Sequence, residues 1–208
     1  MQVVHAVIRS ETASFRVHYF MKPQPTLSVP PPSTIIGLLR NAAGRWVDTD
    51  EISFLAYRFE YAERGIDVEK IYKTKAIEKG TDIVSREFLY NTTLHLYIDP
   101  EFEYALKNPH GILTLGRSQD LATVELVETV ELIDGEGEVS GVLVDSDEAK
   151  RLELFGAIYA LPIDFTRTEP RHPTSIRSFT VIDCKQQPVQ QARGLVHEGK
   201  VLFPVRFS

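Results

Sequence analysis

Five prolines within ten residues near the start of the chain fix where regular secondary structure must stop. They stand at positions 23, 25, 30, 31 and 32. Because proline fixes its own φ and has no amide hydrogen, this stretch predicts an extended loop. The following residues have apolar side chains at helical spacing as far as Gly44, a typical residue just past a helix. The sequence therefore predicts a helix over about 34–43, with Ser33 as its N-cap.

Most of the remaining chain consists of β-prone runs separated by turn residues. The runs are 3–10, 52–61, 68–77, 83–98, 122–133, 142–144, 156–161, 178–184 and 200–207. Residues 100–108 predict a short helix, and the acidic, glycine-containing segment 134–138 predicts a turn. Few helices among many strands favour a single α+β domain over 1–208, built on an antiparallel sheet of the ferredoxin-like type.

The composition is that of an ordinary globular protein, with 43% hydrophobic and 25% charged residues. The single cysteine, Cys184, excludes an internal disulfide and CxxC metal or redox sites. No apolar run approaches the roughly 20 residues that span a bilayer, and the first residues lack the features of a signal peptide. The six histidines show no metal-ligand spacing. We therefore expect a cytoplasmic protein with no membrane contact, metal or cofactor.

Charge is distributed unevenly along the chain, whose net charge is −6. An acidic total argues against a protein that coats nucleic acid non-specifically. Residues 1–47 nevertheless carry five basic side chains against one acid, and 165–193 carry five against two. Residues 120–153 carry eleven acids against two bases. The pattern fits separate positive and negative faces, or equally a scatter of solvated charges.

The predicted helix start is the first candidate for a phosphate site. Ser33 and Thr34 offer two hydroxyls beside free backbone amides and the positive end of the helix dipole. Gly37, one turn further on, would let another backbone approach closely. The alternative is that Ser33 only caps the helix and that Gly37 only packs against the sheet.

The second candidate is segment 114–121, where a glycine, an arginine and a serine follow an apolar run. Gly116 permits a tight bend, Arg117 can bind a phosphate or a guanine edge, and Ser118 can donate to an oxygen. The alternative is a plain turn in which Arg117 pairs with Asp120.

The predicted hairpin 68–90 is the third candidate. Its basic residues Lys70, Lys73, Lys75 and Arg86 are interleaved with aromatic residues that can stack on bases. The alternative is an exposed ribbon that its lysines only keep soluble, although an isolated hairpin is marginally stable without something to pack on.

Two stretches, PPPSTIIGLL and LGRSQDLA, resemble segments of the Cas-five family of CRISPR-associated RAMP proteins. The layout is similar over about residues 3–130, and the forms found in type I-B systems are the most similar. The resemblance implies a ferredoxin-like (RRM-type) antiparallel sheet domain with an inserted β-hairpin thumb at about 68–90. It also implies a β-rich C-terminal part at about 135–208.

The resemblance further implies a function, since members of this family hold the 5′ handle of CRISPR RNA in type I Cascade complexes. We therefore expect a non-catalytic subunit that binds and caps this handle and helps to assemble the antiviral complex. The implied partners are the CRISPR RNA, the Cascade backbone subunit and the large subunit, through which target DNA is met only indirectly. The positions that would bind RNA are Phe15, Arg16, Tyr19, Ser33, Thr34, Gly37, Arg40, Lys70, Lys73, Lys75, Arg86, Gly116, Arg117 and Ser118.

Two alternatives stay open at this point. Some relatives in other subtypes are metal-independent endoribonucleases that cut CRISPR repeat RNA. His18, His172 and Lys73 are the residues here that could act as acid or base, although the sequence shows no matching triad. The other alternative is a purely structural subunit that touches RNA only incidentally.

Overall fold

The computed structural model describes residues 1–17, 20, 23–73 and 80–207, with the backbone alone for 71–73 and 80. The elements over these residues are β1 Gln2–Ala13, α1 Pro32–Ala43, β2 Leu55–Lys73, β3 Gly80–Ile98, α2 Glu103–Lys107, β4 Leu113–Thr114, β5 Leu121–Glu131, β6 Ile133–Val139, β7 Val142–Asp145, α3 Ser146–Arg151, β8 Ala157–Phe165, β9 Pro173–Ile182, β10 Gln190–His197 and β11 Lys200–Leu202. Single 3₁₀ turns lie at Thr49–Glu51 and Pro100–Phe102. None of the helices in this part of the chain is long and apolar enough to cross a bilayer.

Five strands form the main sheet, in the order β2-β3-β1-β5-β4, and all of their pairings are antiparallel. Side chains alternate between the two faces of a strand, and one face of the central strands is apolar and buried. It carries Val4, Ala6, Ile8, Leu94, Leu96 and Ile98. The apolar side of α1 belongs to the same core. The predicted α+β organisation, with an antiparallel sheet and few helices, is therefore confirmed.

Strands β2 and β3 form a hairpin that is longer than the sheet. They pair with each other over their whole length, whereas β1 pairs with β3 only as far as Leu89. Residues 64–73 and 80–88 therefore extend beyond the sheet, and we call them the distal ribbon. The prediction of two separate strands, 52–61 and 68–77, is wrong over the described residues, which do not include 74–77: β2 continues through Gly65, because β3 pairs with it without a break. Gly65 leaves room for the Phe88 ring, which occupies the space where a Cβ would stand.

The C-terminal part adds two smaller sheets. Strand β9 lies between β7 and β8, and β10 pairs with both β6 and β11. The turn predicted at 134–138 is wrong, since these residues lie within β6. Gly137 makes that strand possible, because a Cβ there would stand 2.7 Å from the carbonyl oxygen of Gly199. The strand predicted over 200–207 is confirmed only for Lys200–Leu202.

Helix α1 begins earlier than predicted. Pro31 has the N-cap position and Pro32 is the first helical residue, so the prediction of Ser33 as N-cap is wrong. Proline suits the first position, because its φ matches the helix and the amide hydrogen it lacks would have had no partner there. Gly44 ends the helix with a φ of 64°, which confirms the predicted C-terminus.

Candidate nucleic-acid interface

The glycine–arginine loop, residues 115–120, is a turn built around a buried carboxylate. Asp120 is fully buried and accepts hydrogen bonds from Arg117 Nε at 3.0 Å, from Arg117 Nη2 at 2.9 Å and from the Arg117 backbone N–H at 3.0 Å. Thr12 Oγ1 donates to the same carboxylate at 2.7 Å. The hydrogen bond to Asp120 is the main reason that the pKa of Arg117 is raised. The pairing of Arg117 with Asp120, which the sequence left open as an alternative to phosphate binding, is therefore present.

One face of the distal ribbon packs against this loop. Glu69 Oε1 lies 3.3 Å from Arg117 Nη1, and Glu69 Oε2 lies 3.1 Å from Arg86 Nη2. The Phe88 ring centre is 5.8 Å from the guanidinium carbon of Arg117. Glu69 thus connects two arginines that the sequence predicts to bind RNA, and the Arg117 side chain is left only 12% exposed.

The chain that follows β1 covers a third side of the loop. Gly116 has a φ of 107° and lies so close to Ser14 that a Cβ would overlap the Ser14 carbonyl oxygen. Nearby, the Phe15 N–H donates to Thr26 Oγ1 at 2.8 Å. Gln24 exchanges two backbone hydrogen bonds with β3, at 2.8 and 3.0 Å. The first half of the proline-rich loop is therefore fixed to the base of the distal ribbon.

These contacts bring the chain after β1, the distal ribbon and the glycine–arginine loop together at what we call the loop junction. It consists of residues 14–16, 24–26, 69, 84–88 and 116–120. The sequence-predicted positions within it are Phe15, Arg16, Arg86, Gly116, Arg117 and Ser118. Arg16 and Ser118 are exposed at its rim, whereas Phe15 is buried. The junction therefore has a structured interior and an accessible polar edge. Lys70 is exposed on the other face of the distal ribbon, because it pairs with Ile83 and alternates with Glu69.

Two polar atoms inside the loop junction lack a hydrogen-bond partner among the residues that the structure describes. They are Gln24 Oε1, an acceptor, and Arg86 Nε, a donor. A buried polar atom left unpaired costs about 1–3 kcal/mol. The junction therefore has hydrogen-bonding capacity that a bound polar group or water can use.

The predicted positions on α1 belong to a different surface. Ser33, Gly37 and Arg40 line a polar hollow of about 620 Å³ beside the loop 165–171, and we call it the α1 hollow. Thr34 is half-buried, and its N–H donates to the Pro31 carbonyl oxygen at 2.9 Å. The structure thus brings the second and third candidate segments together and assigns the helix start to another site.

The α1 hollow is also lined by residues that are not among the sequence-predicted positions, including Arg45, Trp46, Arg167 and Arg171. The signal for Arg167 and Arg171 in the sequence is the density of basic residues in 165–173, and nothing local indicates that this segment folds against α1.

Some positions considered from the sequence cannot be compared with the structure. Tyr19, Lys75 and His18 lie outside the described residues, and only the backbone of Lys73 is described. His172 is exposed in the loop between β8 and β9, where its backbone N–H donates to Thr166 Oγ1 at 3.0 Å. The RNA-binding roles of all the sequence-predicted positions remain predictions.

Comparison with known proteins identifies the family. The family model described as "CRISPR-associated protein (Cas_Cas5)" matches residues 6–184, which is most of the chain. The chain therefore belongs to the CRISPR-associated Cas-five family, as its resemblance in sequence predicts. No curated protein matches it.

Solved structures share the fold at low sequence identity. A chain titled "CRISPR RNA-guided surveillance complex" has a TM-score of 0.57 and 16% identity, with 92% of this chain and 91% of that chain covered. A CRISPR protein from Archaeoglobus fulgidus has a TM-score of 0.51 and 11% identity, with 100% of both chains covered. A chain of a Type III-B Cmr-beta complex bound to cognate target RNA and AMPPnP has a TM-score of 0.56 and 10% identity, with 88% and 84% covered. At these identities the likeness shows the fold alone.

Proposed function

We propose that this protein is a non-catalytic subunit of a cytoplasmic, type I-B-like Cascade complex, in which it binds and caps the 5′ handle of CRISPR RNA. The observation that carries the proposal is the loop junction, in a chain of the Cas-five family. Single-stranded RNA held in one conformation needs phosphate donors and stacking faces at fixed places more than a uniformly basic surface. A protein with a net charge of −6 can therefore bind it locally.

The exposed rim of the loop junction is the part assigned to direct RNA contact. Arg16 would bind a phosphate and Ser118 would donate a hydrogen bond there, while Lys70 would bind a phosphate from the other face of the distal ribbon. Arg117 is held by Asp120 and Glu69, which compensate its charge, so its main contribution is to fix the loop. A nucleotide at this place would also offer partners to Gln24 and Arg86.

The topology supports a ferredoxin-like (RRM-type) core within this proposal. The elements β1-α1-β2-β3-α2-β5 follow one another along the chain, and their strands are ordered β2-β3-β1-β5 in the sheet. We assign the distal ribbon as the inserted thumb of that core.

The distal ribbon also suits a protein partner. One of its faces packs on the glycine–arginine loop, whereas the other exposes Ile66, Val68 and Ile83 at 69, 64 and 64% of their surfaces. Clustered exposed apolar side chains of this size mark interaction surfaces. We propose the Cascade backbone subunit as the partner there, and the large subunit, through which target DNA is reached, as a second neighbour of the chain.

The proposal is tested by removing two exposed cations together, Arg16 at the rim and Lys70 on the distal ribbon. In the complex assembled with its companion subunits, Arg16→Ala with Lys70→Ala should weaken retention of repeat-derived RNA. The slope of log K against log salt should also fall by about 0.7 for each phosphate that is no longer neutralised. Electrophoretic binding at several salt concentrations measures both effects.

Arg151→Ala with Arg193→Ala is the matched control, because it removes two exposed arginines from the C-terminal part, at 71 and 72% exposure. The control should bind RNA as the unmodified protein does. Equal affinity and equal salt slope in both double variants would show that neither the rim of the loop junction nor Lys70 belongs to the RNA site.

The endoribonuclease alternative is separated from this proposal by incubating the purified protein with repeat RNA and a chelator. A capping subunit leaves the RNA intact. Discrete cleavage that disappears in His172→Ala or His18→Ala would replace the proposed function by a catalytic one.

A further inference from the structure

The α1 hollow has the features of a second anion site. Its floor is an ion pair that is already neutral: Arg40 Nη1 and Nη2 lie 2.6 and 2.7 Å from the two carboxylate oxygens of Asp164. Arg40 also donates to the Val47 carbonyl oxygen at 2.9 and 2.8 Å. Both side chains are nearly buried, at 13 and 10% exposure. Because Asp164 is compensated in this way, it adds little negative field to the hollow.

The rim of the hollow carries three exposed guanidinium groups, on Arg45, Arg167 and Arg171. Arg45 and Arg171 each have one solvent-exposed carboxylate partner, at 2.8 and 3.4 Å. Such exposed pairs contribute little and can be exchanged. The described part of the chain shows no carboxylate paired with Arg167, whose guanidinium carbon lies 5.9 Å from the Trp46 ring centre. A planar guanidinium in this state is suited to phosphate.

Gly37 gives a separate indication that something approaches α1 here. A glycine inside a helix is less stable than an alanine, because it loses more backbone freedom on folding. A Cβ built at Gly37 would meet nothing within 4 Å, and the residue is exposed on the side of α1 that lines the hollow. The packing of the chain itself therefore gives no reason for glycine at this position, whereas a ligand that reaches the helix backbone does.

The group that fits is a phosphate and not a base. Trp46, the largest aromatic side chain of the hollow, is already stacked, because the guanidinium carbon of Arg40 lies 3.5 Å from its ring centre. The three guanidinium groups of the rim favour an anion over a neutral base. We propose that the α1 hollow binds a phosphodiester group of the RNA backbone, held by Arg167 and Arg171 and approaching α1 at Gly37. The inference rests on the proposed function, but it adds an anchor that is independent of the loop junction.

Gly37→Ala is the most discriminating test, because the expected effects on stability and on binding have opposite signs. Alanine should raise Tm, since it improves helix propensity and meets no obstacle in the free protein. The same methyl group should lower the affinity of the assembled complex for labelled repeat-derived single-stranded RNA several-fold. A raised Tm with unchanged affinity would overturn the inference.

Arg167→Ala with Arg171→Ala tests the rim. We expect weaker RNA binding and a salt slope reduced by about 0.7 for each phosphate left without its arginine, with Arg151→Ala plus Arg193→Ala as the charge-matched control. Binding equal to that of the control would remove the α1 hollow as a site, while weakened binding of Arg16→Ala plus Lys70→Ala would leave the loop junction in place. If the unmodified complex retains no RNA, both the hollow and the proposed function fail.

Discussion

Replacing Asp120 by alanine should lower the free energy of unfolding by about 3–5 kcal/mol, because removing one partner of a buried ion pair leaves the other charge uncompensated. Asp120 is fully buried and binds the Arg117 guanidinium through two hydrogen bonds, besides those from the Arg117 N–H and from Thr12. In the variant the Arg117 guanidinium, still largely enclosed, would keep only Glu69, at 3.3 Å. Urea unfolding measures the change.

Asp134→Ala is the matched control, since it removes a carboxylate that pairs with Arg193 on the surface at 3.3 Å, with both side chains more than half exposed. An exposed pair contributes about 0–1 kcal/mol, so this variant should unfold almost as the unmodified protein does. If Asp120→Ala costs no more than Asp134→Ala, the network around Asp120 does not hold the glycine–arginine loop.

A second readout separates stability from function. Because the loop junction is assembled on Asp120, the Asp120→Ala protein should also lose RNA retention under conditions in which it is still folded. Asp120→Asn keeps the shape of the side chain and one acceptor oxygen but not the charge. We expect its RNA retention to lie between that of Asp120→Ala and that of the unmodified protein. Retention equal to that of the unmodified protein would show that the loop can be displaced without consequence for the site.

The sequence predicts the elements whose signals are local. Helix α1 follows from the spacing of Ile35, Ile36, Leu38 and Leu39, and its end follows from Gly44. The strands of the main sheet follow from alternating apolar residues, because one face of that sheet is buried and the pattern repeats every second residue. Burial on one side of an element is thus visible in the sequence before its partner is known.

The errors arise where a distant partner decides the local structure. Segment 134–138 has the composition of a turn but forms part of β6, because β10 pairs with it along its length. Strand β5 is similar: its pairing with β1 shifts between Val7 and Ile8, so Glu125 has no direct partner across the ladder. Neither feature has a signal within a few residues.

The candidate site shows the same division. The sequence indicates which segments carry cations, but it cannot show which arginines are already paired. Arg40 finds its carboxylate at Asp164, 124 residues away, and Arg117 has Glu69 as well as its neighbour Asp120. Arg16 and Arg167 are exposed instead. The choice between a structural and a binding arginine is therefore made by the fold.

A cluster of three histidines, His5, His95 and His197, lies on the other face of the main sheet, and it should make the stability of the protein depend on pH. His5 Nε2 and His95 Nδ1 lie 3.1 Å apart, and His197 Nδ1 lies 3.0 Å from the Tyr97 hydroxyl. The His5 ring stacks on Tyr97 with 4.6 Å between ring centres. His197 ends β10, so the cluster joins the C-terminal part to the main sheet.

Burial is the first cause of the low pKa values in this cluster. It lowers the pKa of His95 to about 3, and the positive charge of Arg58 acts in the same direction. Burial also lowers the pKa of His5, against the opposite effect of its hydrogen bond with Glu128. The charged and titratable groups that act on the two rings from neighbouring strands are Arg9, Arg58, Glu128 and His197.

The sign of the pH dependence follows from these directions. In the unfolded chain histidine binds its proton near pH 6.5, whereas the folded chain keeps both rings neutral to lower pH. Below about pH 6.5 the unfolded state therefore binds more protons, and each such histidine lowers stability by up to about 1.4 kcal/mol per pH unit. The decrease should continue as the pH falls toward the folded pKa of His95, and it should vanish above neutral pH.

We expect His95→Gln to reduce this acid sensitivity, since the variant has one fewer ring to protonate on unfolding. The measurement is the free energy of unfolding in urea between about pH 7 and pH 5, where few carboxylates titrate. His172→Gln, a change in an exposed loop histidine, serves as the control and should keep the full pH dependence. A slope for His95→Gln that matches those of the control and the unmodified protein would mean that His95 does not contribute to the loss of stability at acid pH.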